Sequence, residues 1–128
     1  MHELRVLVVD DQPEFLDMAE LLLNKGNCKM VARANDGCEA LQLIPNIDVN
    51  LVLLDVHMTG MSGFAVIKEL KKRYPELPVM IVSSYAEPQY AELAKELGAV
   101  AFLPKRDLSS DTVITIMCQG SSKNAFVN

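Results

Sequence analysis

Five short apolar runs recur along the chain, over residues 4–9, 28–34, 51–54, 78–82 and 99–103. Each is followed by a segment whose apolar residues repeat at helical spacing, so the pattern predicts strand and helix alternating five times. Runs this short and this continuously apolar are what strands buried on both faces require, and parallel sheets with crossover helices bury their strands that way. The exception is residues 28–34, which alternate and carry Lys29 and Arg33, as an edge strand does. The first helix is predicted from Pro13 to Lys25, with Phe15, Met18, Ala19 and Leu22 on its buried face and Gly26 as its stop. Asn35-Asp36-Gly37 reads as a turn and cap before a short helix lined by Ala40, Leu41 and Ile44 and ended by Pro45. The third helix starts near Ser62, buries Phe64, Ile67 and Leu70, and gathers Lys71, Lys72 and Arg73 in its last turn, where cations complement the helix dipole. The fourth opens at Pro88, presents Tyr90, Leu93, Ala94 and Leu97, and stops at Gly98. The fifth is predicted from Ser109 to Cys118 although Thr112 to Ile116 is β-branched throughout, and residues 121–128 read as a flexible tail.

The expected organisation is therefore one α/β domain over residues 1–120, a (βα)₅ doubly wound parallel sheet with strand order 2-1-3-4-5. In that topology the carboxyl ends of neighbouring strands open into a crevice, and polar groups stand at four of them: Asp10-Asp11, Asp55, Ser83 and Lys105. Singly, each has an ordinary structural explanation, such as a helix cap, a turn or a solvated lysine. Together they place three carboxylates in one crevice, where a pair of charges about 4 Å apart repels by roughly 4 kcal/mol at an effective dielectric of about 20. Lys105 offsets part of that, and a hard divalent cation held by sparse oxygen ligands, Mg²⁺ rather than Ca²⁺, offsets the rest. A cation, a lysine and a serine hydroxyl around one aspartate fit phosphoryl transfer onto that carboxylate, a reaction made mainly of positioning and charge neutralisation.

Val8-Val9-Asp10-Asp11, Leu53-Leu54-Asp55-Val56 with Gly60-Met61-Ser62-Gly63, Pro78 to Ser83, and Gly98-Ala99 through Phe102-Leu103-Pro104-Lys105 resemble the receiver (REC) domain of two-component response regulators. The resemblance extends over about residues 4–118. It implies the flavodoxin-like fold and a phosphorylation switch, with Asp55 accepting a phosphoryl group from a histidine kinase or phosphotransfer protein. It further implies Mg²⁺ on Asp10, Asp11, Asp55 and the backbone carbonyl of His57, with Lys105 paired to phosphoryl oxygens. Ser83 would move to hydrogen-bond the phosphoryl group and Phe102 would follow, remodelling the surface of helix four, strand five and helix five. Phe102 lacks a tyrosine hydroxyl, so such a switch is expected to act through packing. Thr59 stands where relatives commonly have proline, so the loop after Asp55 is expected to be less rigid. His57 and Tyr85 flank the phosphorylation site and are expected to screen attacking water. The stretch from Phe102 to Leu108 is similar to receivers attached to helix-turn-helix DNA-binding domains.

Charge and composition narrow the alternatives. The chain of 128 residues carries a net charge of −5, which argues against nucleic acid or an anionic membrane surface as a direct partner. No apolar stretch reaches the length of a membrane span and residues 1–5 do not start a signal peptide, so a cytoplasmic protein is expected. Cys28, Cys38 and Cys118 lack metal-type spacing and are expected to be reduced, mostly packed thiols. A Mg²⁺-dependent phosphohydrolase would need a second aspartate two residues after the nucleophile, where His57 stands. A binder of a flavin phosphate would meet repulsion from Asp10-Asp11. A docking domain no longer phosphorylated would not need all the site residues. The expected protein is therefore a phosphoacceptor rather than an enzyme of turnover, acting alone or as the receiver part of a longer regulator, through a downstream protein or an output domain.

Overall fold

Alternate residues of a strand point to opposite faces, so a sheet covered on both sides divides each strand's side chains between two cores. That division is what the structure, a computed structural model describing residues 3–84 and 87–119, displays. The strands β1 (Leu4–Val9), β2 (Cys28–Ala34), β3 (Leu51–Leu54), β4 (Val79–Ser83) and β5 (Ala101–Pro104) form one parallel sheet in the order β2-β1-β3-β4-β5. Between and after them run α1 (Pro13–Leu23), α2 (Gly37–Leu43), α3 (Gly63–Arg73), α4 (Pro88–Glu96) and α5 (Ser110–Gln119). Leu7, Val9, Val52, Leu54, Ile81 and Phe102 face one way, into a core shared with α2, α3 and α4. Val6, Val8, Leu51, Leu53, Met80 and Leu103 face the other, against α1 and α5. The predicted fold class, strand order and lateral β2 are all observed.

Several boundaries and faces differ from expectation for identifiable reasons. Helix α1 ends at Leu23 because Asn24 turns out of the helix, its Oδ1 accepting the Met30 N–H at 2.7 Å, and Gly26 takes a left-handed φ of 57° to start β2. The buried face of α1 is Leu16, Ala19 and Leu23, with Phe15 and Leu22 at its margin, whereas Met18 is 55% exposed. Apolar residues at 15, 16, 18, 19, 21, 22 and 23 allow two stripes of the same period, and the observed one is rotated from the predicted one. In β2 the alternation breaks because the pairing with β1 skips Val31. Ala99 does not begin β5 but closes α4, donating its N–H to Ala94 O at 2.9 Å around Gly98, whose φ is 97°. Phe64 is only partly buried, and Val66 fills the core beside Ile67 and Leu70 instead. Of the cysteines, Cys28 is buried but Cys38 and Cys118 are exposed, correcting the expectation of packing for those two. Helix α5 forms despite its β-branched run, since Val113 is fully buried and the Ser109 hydroxyl oxygen accepts the Thr112 N–H at 3.0 Å. Lys71 in the basic run donates to the carbonyls of Pro75 and Leu77 at 3.0 and 3.2 Å, a structural use of that charge. Tyr85 and the tail predicted at 121–128 lie outside the described residues.

The turn from β3 into α3 is set by close approach. Asp36 and Ser62 cap α2 and α3 through side chains that accept the Glu39 and Ala65 N–H groups. Gly63 donates its N–H to Val56 O at 2.8 Å, and a Cβ there would overlap the Asp55 carbonyl oxygen and lie 2.8 Å from Val56 Cα. Gly63→Ala is therefore expected to destabilise the fold by about 1–3 kcal/mol, the usual range for overpacking a tight site. A lowered urea midpoint with unchanged slope would show this, and an unchanged midpoint would contradict it.

Candidate functional site

The strand register brings the polar strand ends level. Val9 pairs with Leu54, so Asp10 and Asp55 emerge side by side, and the Asp55 N–H bonds to Val9 O at 3.0 Å. Ser83 pairs with Pro104, so Lys105 emerges at the end of the neighbouring strand, the first residue of a 3-10 turn over Lys105–Asp107. Asp10, Asp55 and Ser83 are all buried. Every polar strand end singled out in the sequence thus lies along one edge of the sheet.

Asp10 Oδ1 accepts the Gln12 N–H at 2.9 Å, which turns the chain into α1. Its Oδ2 lies 2.7 Å from Lys105 Nζ, an ion pair by distance, yet that buried oxygen has no hydrogen bond of good geometry among the described residues. Lys105 Nζ stands 3.7 Å from Asp55 Oδ1 and 4.2 Å from the centre of the Phe15 ring. Asp11 is half-buried, and its Oδ2 accepts both the Thr59 N–H at 3.0 Å and the Thr59 hydroxyl at 3.2 Å. One carboxylate oxygen from each of Asp10, Asp11 and Asp55 lies within 4.8 Å of the others. Burial, and then the neighbouring Asp10 charge, push the Asp55 carboxyl up to about 6, against the attraction of Lys105.

Ser83 is fully buried at the end of β4, and Phe102 is 1% exposed in β5, packed in the core beneath α3 and α4. The exposed His57 side chain stands edge-on to Tyr90 of α4, with ring centroids 5.6 Å apart, and Phe64 lies 5.9 Å from the same Tyr90 ring. Phe15, Thr59 and Tyr90 were not among the expected site residues. Phe15 and Tyr90 read as ordinary core positions of their helices, and nothing in the spacing ties Thr59 to a residue 48 positions earlier.

Comparison with known proteins bears directly on this arrangement. The family model of the response regulator receiver domain matches residues 6–116. The transcriptional regulatory protein ZraR of Escherichia coli K12 is 38% identical over 100 residues, 78% of this chain and 22% of that protein. The Bacillus subtilis transcriptional regulatory protein YdfI is 31% identical over 114 residues, 88% of this chain and 53% of that protein. The chain thus spans about a fifth to a half of the length of these two relatives. The signal receiver domain of the response regulator NarL from Mycobacterium tuberculosis superposes with a TM-score of 0.80 at 30% identity, covering 93% of this chain and 96% of that one. A CheX–CheY complex with BeF₃⁻ and Mg²⁺ from Borrelia burgdorferi shares the fold, with a TM-score of 0.78 at 22% identity over 92% of this chain and 89% of that one. The match over nearly the whole described sheet, from β1 into α5, establishes that this chain belongs to the receiver domains of two-component response regulators.

Proposed function

We propose that Asp55 is the phosphoacceptor of a signalling switch, taking a phosphoryl group from a histidine kinase or phosphotransfer protein in a Mg²⁺-dependent reaction. The observation that carries this is the arrangement of Asp10, Asp11 and Asp55 around Lys105, one carboxylate oxygen of each lying within 4.8 Å of the others. Among the described residues, three carboxylates face a single ammonium there and the buried Asp10 Oδ2 has no well-directed donor, so the donor set fits a hard divalent cation. Asp10, Asp11, Asp55 and the His57 backbone carbonyl are the residues that would hold it. When bound, Mg²⁺ supplies positive charge that neutralises the carboxylates and the oxygens of the phosphoryl group.

The protein's own part is positioning. An Asp55 carboxylate oxygen attacks phosphorus while the bond to the donor's leaving group breaks, and the leaving group departs with that electron pair. Lys105, held by Asp10 and the Phe15 face, is poised to pair with the incoming phosphoryl oxygens in place of its longer contact to Asp55. Ser83 would supply a hydroxyl to the phosphoryl group. Phe102, buried beneath α3 and α4, would carry the change through packing to the surface of α4, β5 and α5. The expected result is a phosphoprotein without turnover of a small substrate, working on an output domain or a separate protein. A phosphohydrolase draws no support from His57, which stands against Tyr90 at the position where a general acid would be needed. The receiver domain is taken to occupy residues 1–120.

Incubating the protein with Mg²⁺ and acetyl phosphate is expected to add one phosphoryl group to the intact mass, and Asp55→Asn to abolish the gain. A wild type that gains nothing, or a mutant that gains equally, would rule out Asp55 as the acceptor. The raised Asp55 value also sets a pH dependence in metal-free protein. Between its ordinary 3.8 and about 6, the folded state binds more protons than the unfolded state, so this group's contribution makes stability fall as pH rises through that window. The fall amounts to at most about 3 kcal/mol, complete above the folded value. Asp55→Asn is expected to flatten that segment and to be the more stable protein at pH 7, as urea midpoints at pH 4.5 and 7 would show. Parallel pH profiles for the two proteins would contradict it.

A further inference from the structure

Thr59 lies in the turn between β3 and α3, two residues after His57 and just before Gly60, whose φ is 84°. Its N–H and its hydroxyl both donate to the same oxygen, Asp11 Oδ2, at 3.0 and 3.2 Å. Two donors fill the two lone pairs of that oxygen and leave Oδ1 as the acceptor open to a cation. Asp11 needs such a hold more than its neighbours do. Asp10 and Asp55 are buried and Lys105 stands close to both of them, whereas Asp11 is half-buried on the loop before α1 and is repelled by the two other carboxylates.

We propose that Thr59 is a positioning residue, clamping Asp11 so that its free oxygen faces the acidic crevice before a divalent cation binds; this rests on reading that crevice as the Mg²⁺ site. The clamp joins two loops, one bearing Asp11 and the other bearing the His57 carbonyl, across a separation of 48 residues. At its far end the second loop is pinned by the Gly63 N–H on Val56 O at 2.8 Å. The two ligand-bearing loops are therefore set relative to one another in advance, which lowers the ordering cost of cation binding. A proline at this position stiffens the loop through its ring but has no N–H to give. Threonine replaces that stiffness with a directed contact to the ligand itself.

Mg²⁺ affinity measured by calorimetry on the wild type, Thr59→Ser and Thr59→Val tests the clamp. Serine keeps both donors, whereas valine keeps the shape and the N–H but loses the hydroxyl. Thr59→Ser is expected to bind as the wild type does, and Thr59→Val more weakly by roughly two- to tenfold, the range of one net hydrogen bond. In metal-free protein the residue 59 amide proton is expected downfield in all three, and upfield in Asp11→Ala. Thr59 is exposed, so the variants are expected to fold, with unchanged far-UV circular dichroism as the check. Equal affinity in Thr59→Val and wild type, or equal losses in the serine and valine variants, would overturn the proposal. An amide proton indifferent to Asp11→Ala would overturn the contact itself. A wild type that binds no Mg²⁺ at millimolar concentration, with the amide behaving as expected, would instead remove the metal reading and the positioning role with it, leaving the hydrogen bonds in place.

Discussion

Two parallel strands that end side by side in aspartate impose the constraint on which the site depends. The pairing of Val9 with Leu54 leaves Asp10 and Asp55 no freedom to separate, and both are buried by the helices that cover the sheet. Adding Asp11 makes the crevice acidic enough that one lysine does not balance it. The surrounding features fall into place as responses to that charge. Lys105 reaches to Asp10 and Asp55 over the Phe15 ring, Gln12 and Thr59 supply N–H donors, and the Asp55 carboxyl is held closer to neutrality than an exposed one.

The fold gathers this charge at one edge of the sheet, outside both apolar cores. The inner strands β3 and β4 are apolar along their length and polar only at the carboxyl end, so hydrophobic burial stabilises the layers while the unfavourable electrostatics gather at one edge. Asp55 follows β3, Ser83 ends the neighbouring β4, Lys105 follows β5, which carries Phe102, and the His57 ring of the loop after Asp55 meets Tyr90 on α4. The two cores divide the helices, Phe102 packing with α3 and α4 while α1 and α5 cover the opposite face.

The sheet was legible in the sequence because burial on both faces writes itself as unbroken apolar runs, and the edge strand declared itself through Lys29 and Arg33. So were the strand-end residues, since topology alone brings them together. The buried stripe of α1 was not, because its dense apolar content fits two rotations of one helix and only the packing of Leu16, Ala19 and Leu23 against the sheet decides between them. Helix α5 ran against local propensity and was decided by burial of Val113. The contacts of Thr59 with Asp11 and of Lys105 with the Phe15 ring depend on loop conformation, which leaves no periodic trace in a sequence.

The urea midpoint at pH 7 with and without Mg²⁺ at matched ionic strength tests most directly whether Asp10, Asp11 and Asp55 hold a divalent cation. Binding to the folded state alone stabilises by about 1.4 kcal/mol when free Mg²⁺ stands at roughly tenfold its dissociation constant. A rise of that kind is expected in the wild type, saturating with Mg²⁺ and lost in Asp10→Asn. A midpoint indifferent to Mg²⁺, or a rise that survives in Asp10→Asn unchanged, would contradict it.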